Sequence, residues 1–128
     1  MKLNITCVRD ILLYIEDLSF QSVATIDQLH EAYPQYSKED IEYNCLKLIE
    51  GGYLDGVTIS MLRSCLPSVK YIVCMTFEGH QFLDTIRPEK VFEKTKNVLA
   101  SVGTGSFDVI TKIGTTLLAQ MASSALGM

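Results

Sequence analysis

The side chains that could move a proton or hold a metal are few in this sequence, and their spacing limits what they can do. His80, Asp84 and Arg87 recur at i, i+4 and i+7, with Glu78 close by, so one helix face can carry a base, a carboxylate and a cation. An acid–base or metal site needs more than that: further ligands, or a nucleophile within reach. No H-E-x-x-H or G-x-S-x-G supplies them. The trio therefore reads as ordinary pairs on a helix surface, and His30 beside Glu31 reads the same way. Gly51-Gly52 and Gly103-Thr104-Gly105 lack the residues of a phosphate loop. Cys7, Cys45, Cys65 and Cys74 form no C-x-x-C pair, and Cys7 and Cys45 sit among apolar positions. Free thiols in a reducing compartment are the expectation. Neither an enzyme, a metal, a cofactor nor a small-molecule substrate is expected.

The other chemistry on offer is contact with nucleic acid. Lys38, Tyr43, Asn44 and Lys47 lie within ten residues of one another, and Arg63 and Lys70 follow. Asn44 has the groups to pair with adenine, and Lys47 those to meet guanine or a phosphate. The same stretch carries Glu39, Asp40 and Glu50, so residues 38–50 sum to −2. Carboxylates can read cytosine, but more often they repel the backbone, and duplex affinity needs several neutralised phosphates. The whole chain has a formal charge of −4, unevenly spread. Residues 1–50 hold four Lys and Arg against nine Asp and Glu, whereas residues 88–128 hold four against three. Any basic footprint is small and local.

The elements that must position these groups are legible. Ser37 followed by Asp40 is a helix start; Ile41, Cys45 and Leu48 recur at helical spacing, and Gly51-Gly52 gives a left-handed stop before Tyr53-Leu54. Upstream, Ile5, Val8, Ile11, Leu12 and Ile15 form an apolar stripe over residues 5–18. Thr25 caps a short helix, Ile26 to Tyr33, that Pro34 ends, with Ile26 and Leu29 facing inward. Two helices joined by about four residues make a helix-turn-helix pattern. Downstream, 53–60 and 69–75 read as strands, with Val69, Tyr71, Val73 and Met75 on one face. The loop between them, 61–68, is unusually apolar: it packs back, or it touches a partner. Helices follow at 76–87, with Phe82, Leu83 and Ile86 inward, and at 89–102, with Val91, Phe92, Val98 and Leu99 inward. The expected fold is mainly α with a small β-hairpin (α+β): a winged helix-turn-helix over 1–87 and a helical extension over 88–128.

The extension ends in a different material. Phe107, Ile110, Ile113, Leu117, Leu118 and Met121 make one helical stripe, with Asp108 and Lys112 the only charges after Ser106. The uncharged run from Ile113 to Met128 is 16 residues, short of the ~20 that a membrane crossing needs. A helix that packs or forms a homodimer through this stripe is expected, ahead of one lying on a membrane surface. Two-fold pairing would also place two winged helices for a palindromic DNA site.

Several stretches resemble a known family: M-K-L-N with C-V-R-D-I-L-L-Y-I-E, the central I-E-Y-N-C-L with G-Y-L, and T-F-E-G-H-Q-F-L-D-T-I-R with K-V-F-E-K-T-K. They are similar to an uncharacterised family of small winged-helix proteins from Gram-positive bacteria and their prophages. The resemblance covers nearly the whole chain and implies a winged-helix fold and a cytoplasmic location, but no activity. The start Met1-Lys2-Leu3-Asn4 leads straight into a charged helix, so secretion is not expected. Two functions remain open: a DNA-binding regulator of prophage or mobile-element type, and a winged helix used for protein contacts without DNA. With so few ligating side chains, elemental analysis of purified protein is expected to find far less than one zinc per chain.

Overall fold

Four side chains set where the first helices begin. In the computed structural model, which describes residues 1–103 and 106–127, Asn4 accepts from the amides of Thr6 (3.0 Å) and Cys7 (3.2 Å) and starts α1, Ile5–Glu16. Thr25 and Gln28 cap each other's backbone amides at the head of α2, Ile26–Ala32. Ser37 accepts from Asp40 N and opens α3, Lys38–Glu50. The left-handed residue that stops α3 is Gly52 (φ 82°), Gly51 staying helical. The hairpin follows, β1 at Leu54–Ile59 antiparallel to β2 at Ser68–Met75, and then α4 at Phe77–Ile86, α5 at Glu89–Val102 and α6 at Phe107–Ala125. The chain is mainly helical with one small two-stranded hairpin, an α+β arrangement.

Contacts divide it into two compact units, Met1–His80 and Gln81–Met128, with the division inside α4 rather than at the Arg87-Pro88 break. In the first, α1 gives Cys7, Val8, Ile11, Leu12 and Ile15 to a core completed by Leu29, Ile41, Cys45, Leu48, Leu54 and Ile72. Ile26 is only partly covered. Ala24 exchanges two backbone hydrogen bonds with Ile72 (2.9 and 2.7 Å), on the side of β2 away from β1. The phenol of Tyr36 donates to Asp10 at 2.7 Å and ties the α2–α3 link to α1. Desolvation, reinforced by that bond, holds the phenol above its ordinary range.

The face of β2 departs from the expected alternation. Val69, Ile72 and Met75 are buried, while Tyr71 is half-covered and Val73 exposed. The register shifts twice, between Asp55 and Gly56 and between Val57 and Thr58, leaving Val73 and Lys70 without partners on β1. Each extra residue flips the side-chain parity, so a spacing of three replaces a spacing of two.

In the second unit, Val91, Phe92 and Leu99 of α5 are buried as expected, but Val98 is exposed and Thr95 takes the inner place, its hydroxyl donating to Val91 O at 2.7 Å. Gly103 (φ 81°) closes α5; of the expected joint at 103–105, Thr104 and Gly105 lie outside the described residues. Helix α6 packs on α5. Phe107 meets Phe82 edge-on with centroids 5.0 Å apart, Ile110 is buried, and Gly114 lies against the Thr85 backbone. The stripe proposed for a homodimer is thus partly consumed within the chain: Ile110 is not open to a second copy, and Phe107, Ile113, Leu117 and Leu118 are half-covered. Met121 is exposed. Among the described residues no helix is long and apolar enough to cross a membrane.

Gly79 shows how tightly α4 starts against the hairpin. A Cβ there would collide with the Tyr53 carbonyl oxygen and come within 2.6 Å of Met75 Cγ. In an open helix Gly→Ala stabilises by about 0.5–1 kcal/mol. Here the sign reverses: Gly79→Ala is expected to cost about 1–3 kcal/mol, read as a lower urea midpoint.

Candidate interaction face on the third helix and the hairpin loop

A helix buried along Ile41, Cys45 and Leu48 also turns position 44 inward, three residues after the first and four before the last. Asn44 is 1% exposed. Its Oδ1 accepts from Asn4 N–H at 3.0 Å and its Nδ2 donates to Asp40 O at 2.8 Å. It therefore joins the start of α1 to α3 and cannot reach a base, which corrects its expected role as an adenine reader. Its spacing fits the buried stripe, but the amide that makes burial tolerable lies forty residues away.

Beside that stripe lie Glu39, Glu42 and Tyr43, with Leu46, itself buried, completing the row at i, i+3, i+4 and i+7. Glu42 Oε2 accepts from Val69 N–H at 2.8 Å, so a carboxylate of α3 holds the start of β2. Cys65, Leu66, Pro67 and Ser68 of the hairpin loop, with Met1, line a cleft of about 340 Å³ together with these side chains. A neighbouring cleft of about 540 Å³ shares Glu39, Glu42 and Ser68 with the first and runs to Thr25, Lys38 and Lys70. The loop tip does not pack back: Met61 and Leu62 are exposed. Glu42, Leu46 and Leu66 were not singled out as site residues. Their meeting depends on hairpin contacts that are distant in sequence.

The expected cations are differently placed. Lys38 pairs with Asp27 at 3.0 Å. Lys47 pairs with Glu50 at 2.9 Å and lies 5.3 Å from the centre of the Tyr43 ring; the hydrogen bond it donates to Glu50 raises its pKa. Lys70 lies 5.9 Å from the Tyr71 ring. Arg63 is exposed in the hairpin loop and lines neither cleft. So Tyr43 and Lys47 come together, Lys38 and Lys70 share a cleft, and Arg63 stands apart.

Elsewhere, Arg87 holds Asp84 at 2.9 Å as a helix-surface pair. Burial pushes the Cys7 thiol up to about 12 and raises Cys45 as well, so neither is a thiolate at neutral pH. Among the described residues no group of three or more His, Cys, Asp or Glu side chains could hold a metal ion.

Because Asn44 satisfies two backbone groups, Asn44→Ala is expected to lower stability by about 1–3 kcal/mol, measured by urea unfolding. Any binding it loses should track the loss of folded protein.

No solved structure matches the chain. An uncharacterized protein of Haemophilus influenzae is 28% identical over 122 residues, covering 94% of this chain and 98% of that relative. A family described as hypothetical protein (DUF2513) matches residues 2–106, which span both strands and α1 through α5. The chain belongs to that family.

Proposed function

We propose that the first unit is a winged helix used as a protein-interaction module, with the face of α3 and the hairpin loop as its contact surface. The fold reading rests on the order of α1, the Ala24 bridge, α2, α3 and the hairpin, with Ala24 standing as a one-residue third strand beside Ile72. The functional reading rests on one observation. The side of α3 that would enter a major groove presents Glu39 and Glu42 beside an exposed apolar loop, while Asn44 is turned inward. Apolar loop residues left in solvent mark protein contacts more often than phosphate contacts. No catalytic role is proposed, and the working location is the cytoplasm.

The second reading is a DNA-binding regulator of prophage or mobile-element type. It is favoured by the exposure of Arg63 and Lys70 on the hairpin and by the docking habit of winged helices. Lys38, Tyr43 and Lys47 would be its remaining contacts. Self-association through the open part of α6, Leu117, Leu118 and Met121, fits either reading.

Fluorescence anisotropy with labelled random-sequence duplex and fragments of the source genome separates them. No saturable binding is expected at about 50 mM salt and tens of micromolar protein, conditions under which phosphate-contacting proteins bind. Binding that weakens with salt, and whose slope drops by about one unit per lost phosphate contact in Lys47→Ala and Arg63→Ala, would establish DNA instead.

A further inference from the structure

We infer that the cleft between α3 and the hairpin loop takes a partner-protein segment bearing an Arg or Lys next to a large apolar side chain. The cation sits on Glu39 and Glu42, and the apolar group lies on Leu46 and Leu66. This rests on the protein-interaction reading above and deepens it.

The charge argument starts from Glu39. Among the described residues its carboxylate makes no hydrogen bond or ion pair, although Lys38 is its neighbour in sequence. That lysine is drawn to Asp27 instead. Glu42 spends Oε2 on Val69 N–H, which fixes the carboxylate in place while Oε1 stays open to a second donor. A fixed carboxylate and an unpaired one, three residues apart on one helix, offer two acceptors to a guanidinium or ammonium. Tyr43 lines the same cleft, but its ring is already met by Lys47 Nζ, 5.3 Å from the centroid, so the acceptors left to a partner are the two carboxylates.

The apolar argument is independent of charge. Leu46 forms a floor only 5% exposed, and Leu66 is 37% exposed at the facing wall, with Pro67 beside it. At about 340 Å³ the space is at the small end of ligand sites, sized for a side chain or two rather than a cofactor. The adjoining cleft carries the run onward past Glu39 and Glu42 to Lys70. That cleft also holds Asp27, paired with Lys38. Across the two clefts the acidic side chains are Asp27, Glu39 and Glu42 and the basic ones Lys38 and Lys70. The balance suits a basic segment, and duplex DNA, uniformly anionic, does not match it.

The test is an array of twelve-residue peptides in a Gly-Ser-Ala background. Each carries one Arg or Lys beside one Leu or Phe, and matched controls have Glu in place of the base. The array is probed with the labelled full-length protein, and hits are remeasured by anisotropy. Peptides with the basic-apolar pair are expected to bind. Roughly tenfold weaker binding is expected in Glu39→Lys and in Leu66→Asp, with none lost in Arg63→Ala. Glu39 and Leu66 are exposed, and unchanged thermal unfolding shows that both variants still fold. If the Glu controls bind as well, and Leu66→Asp abolishes that binding, the cleft docks protein but the cation assignment is wrong. If basic peptides bind Glu39→Lys and wild type alike, the assignment also fails. If no peptide binds while random duplex does, the inference and the protein-interaction reading fall together.

Discussion

Helix α3 is fixed by burying Ile41, Asn44, Cys45 and Leu48 along one side. With 3.6 residues per turn, that choice sends Glu39, Glu42, Tyr43 and Lys47 outward. The stripe tolerates an amide because both ends of Asn44 are satisfied. Oδ1 takes the amide of Asn4, and Nδ2 takes the carbonyl of Asp40. A buried amide without those partners would cost several times what each bond contributes. Asn4 in turn caps α1 with its own side chain. One residue thus sets the start of α1 against α3, and the face of α3 follows from it.

The hairpin is set by a second polar tie. Glu42 reaches Val69 N–H, and a hydrogen bond to a charged group is worth about 1.5–3 kcal/mol, enough to fix the base of the loop. The two register shifts then twist the strands so that Val69, Ile72 and Met75 all face the core. The apolar residues of the loop gain nothing from this arrangement. Leu62 is fully in solvent and Met61 largely so. A chain with 48% hydrophobic residues and a filled core has no folding reason to leave them there.

Caps, stops and the hairpin were legible because they are local. Thr25 with Gln28, Ser37 with Asp40, and the Gly51-Gly52 stop each depend on residues within a turn of one another. What escaped was long-range. The face of β2 was misread because a bulge leaves no mark in a run of Val, Ile and Tyr. Thr95 displaced Val98 in α5 because its hydroxyl can be satisfied by its own helix at Val91 O. The stripe of α6 was visible, but not that Phe82 and the Thr85 backbone would take up Phe107 and Gly114. Within the candidate site, Glu39 was apparent from the outset. Asn44 was misassigned because its partner lies forty residues away, and Glu42 was passed over because Val69 lies twenty-seven away.

The charge balance on α3 turns on how easily its ion pairs give way. Exposed pairs such as Lys47–Glu50 and Lys38–Asp27 contribute about 0–1 kcal/mol each, so a phosphate could displace either carboxylate at little cost. Displacement does not remove the carboxylate, however. Glu39, Asp40, Glu42 and Glu50 remain within the helix whatever its lysines do. Two of them, Glu39 and Asp40, stabilise its N-terminus, and Glu42 anchors the hairpin. The acids are therefore part of what makes the helix and its loop. A change that removes or protonates these carboxylates loses both contributions, whereas contacts that leave them ionised keep both.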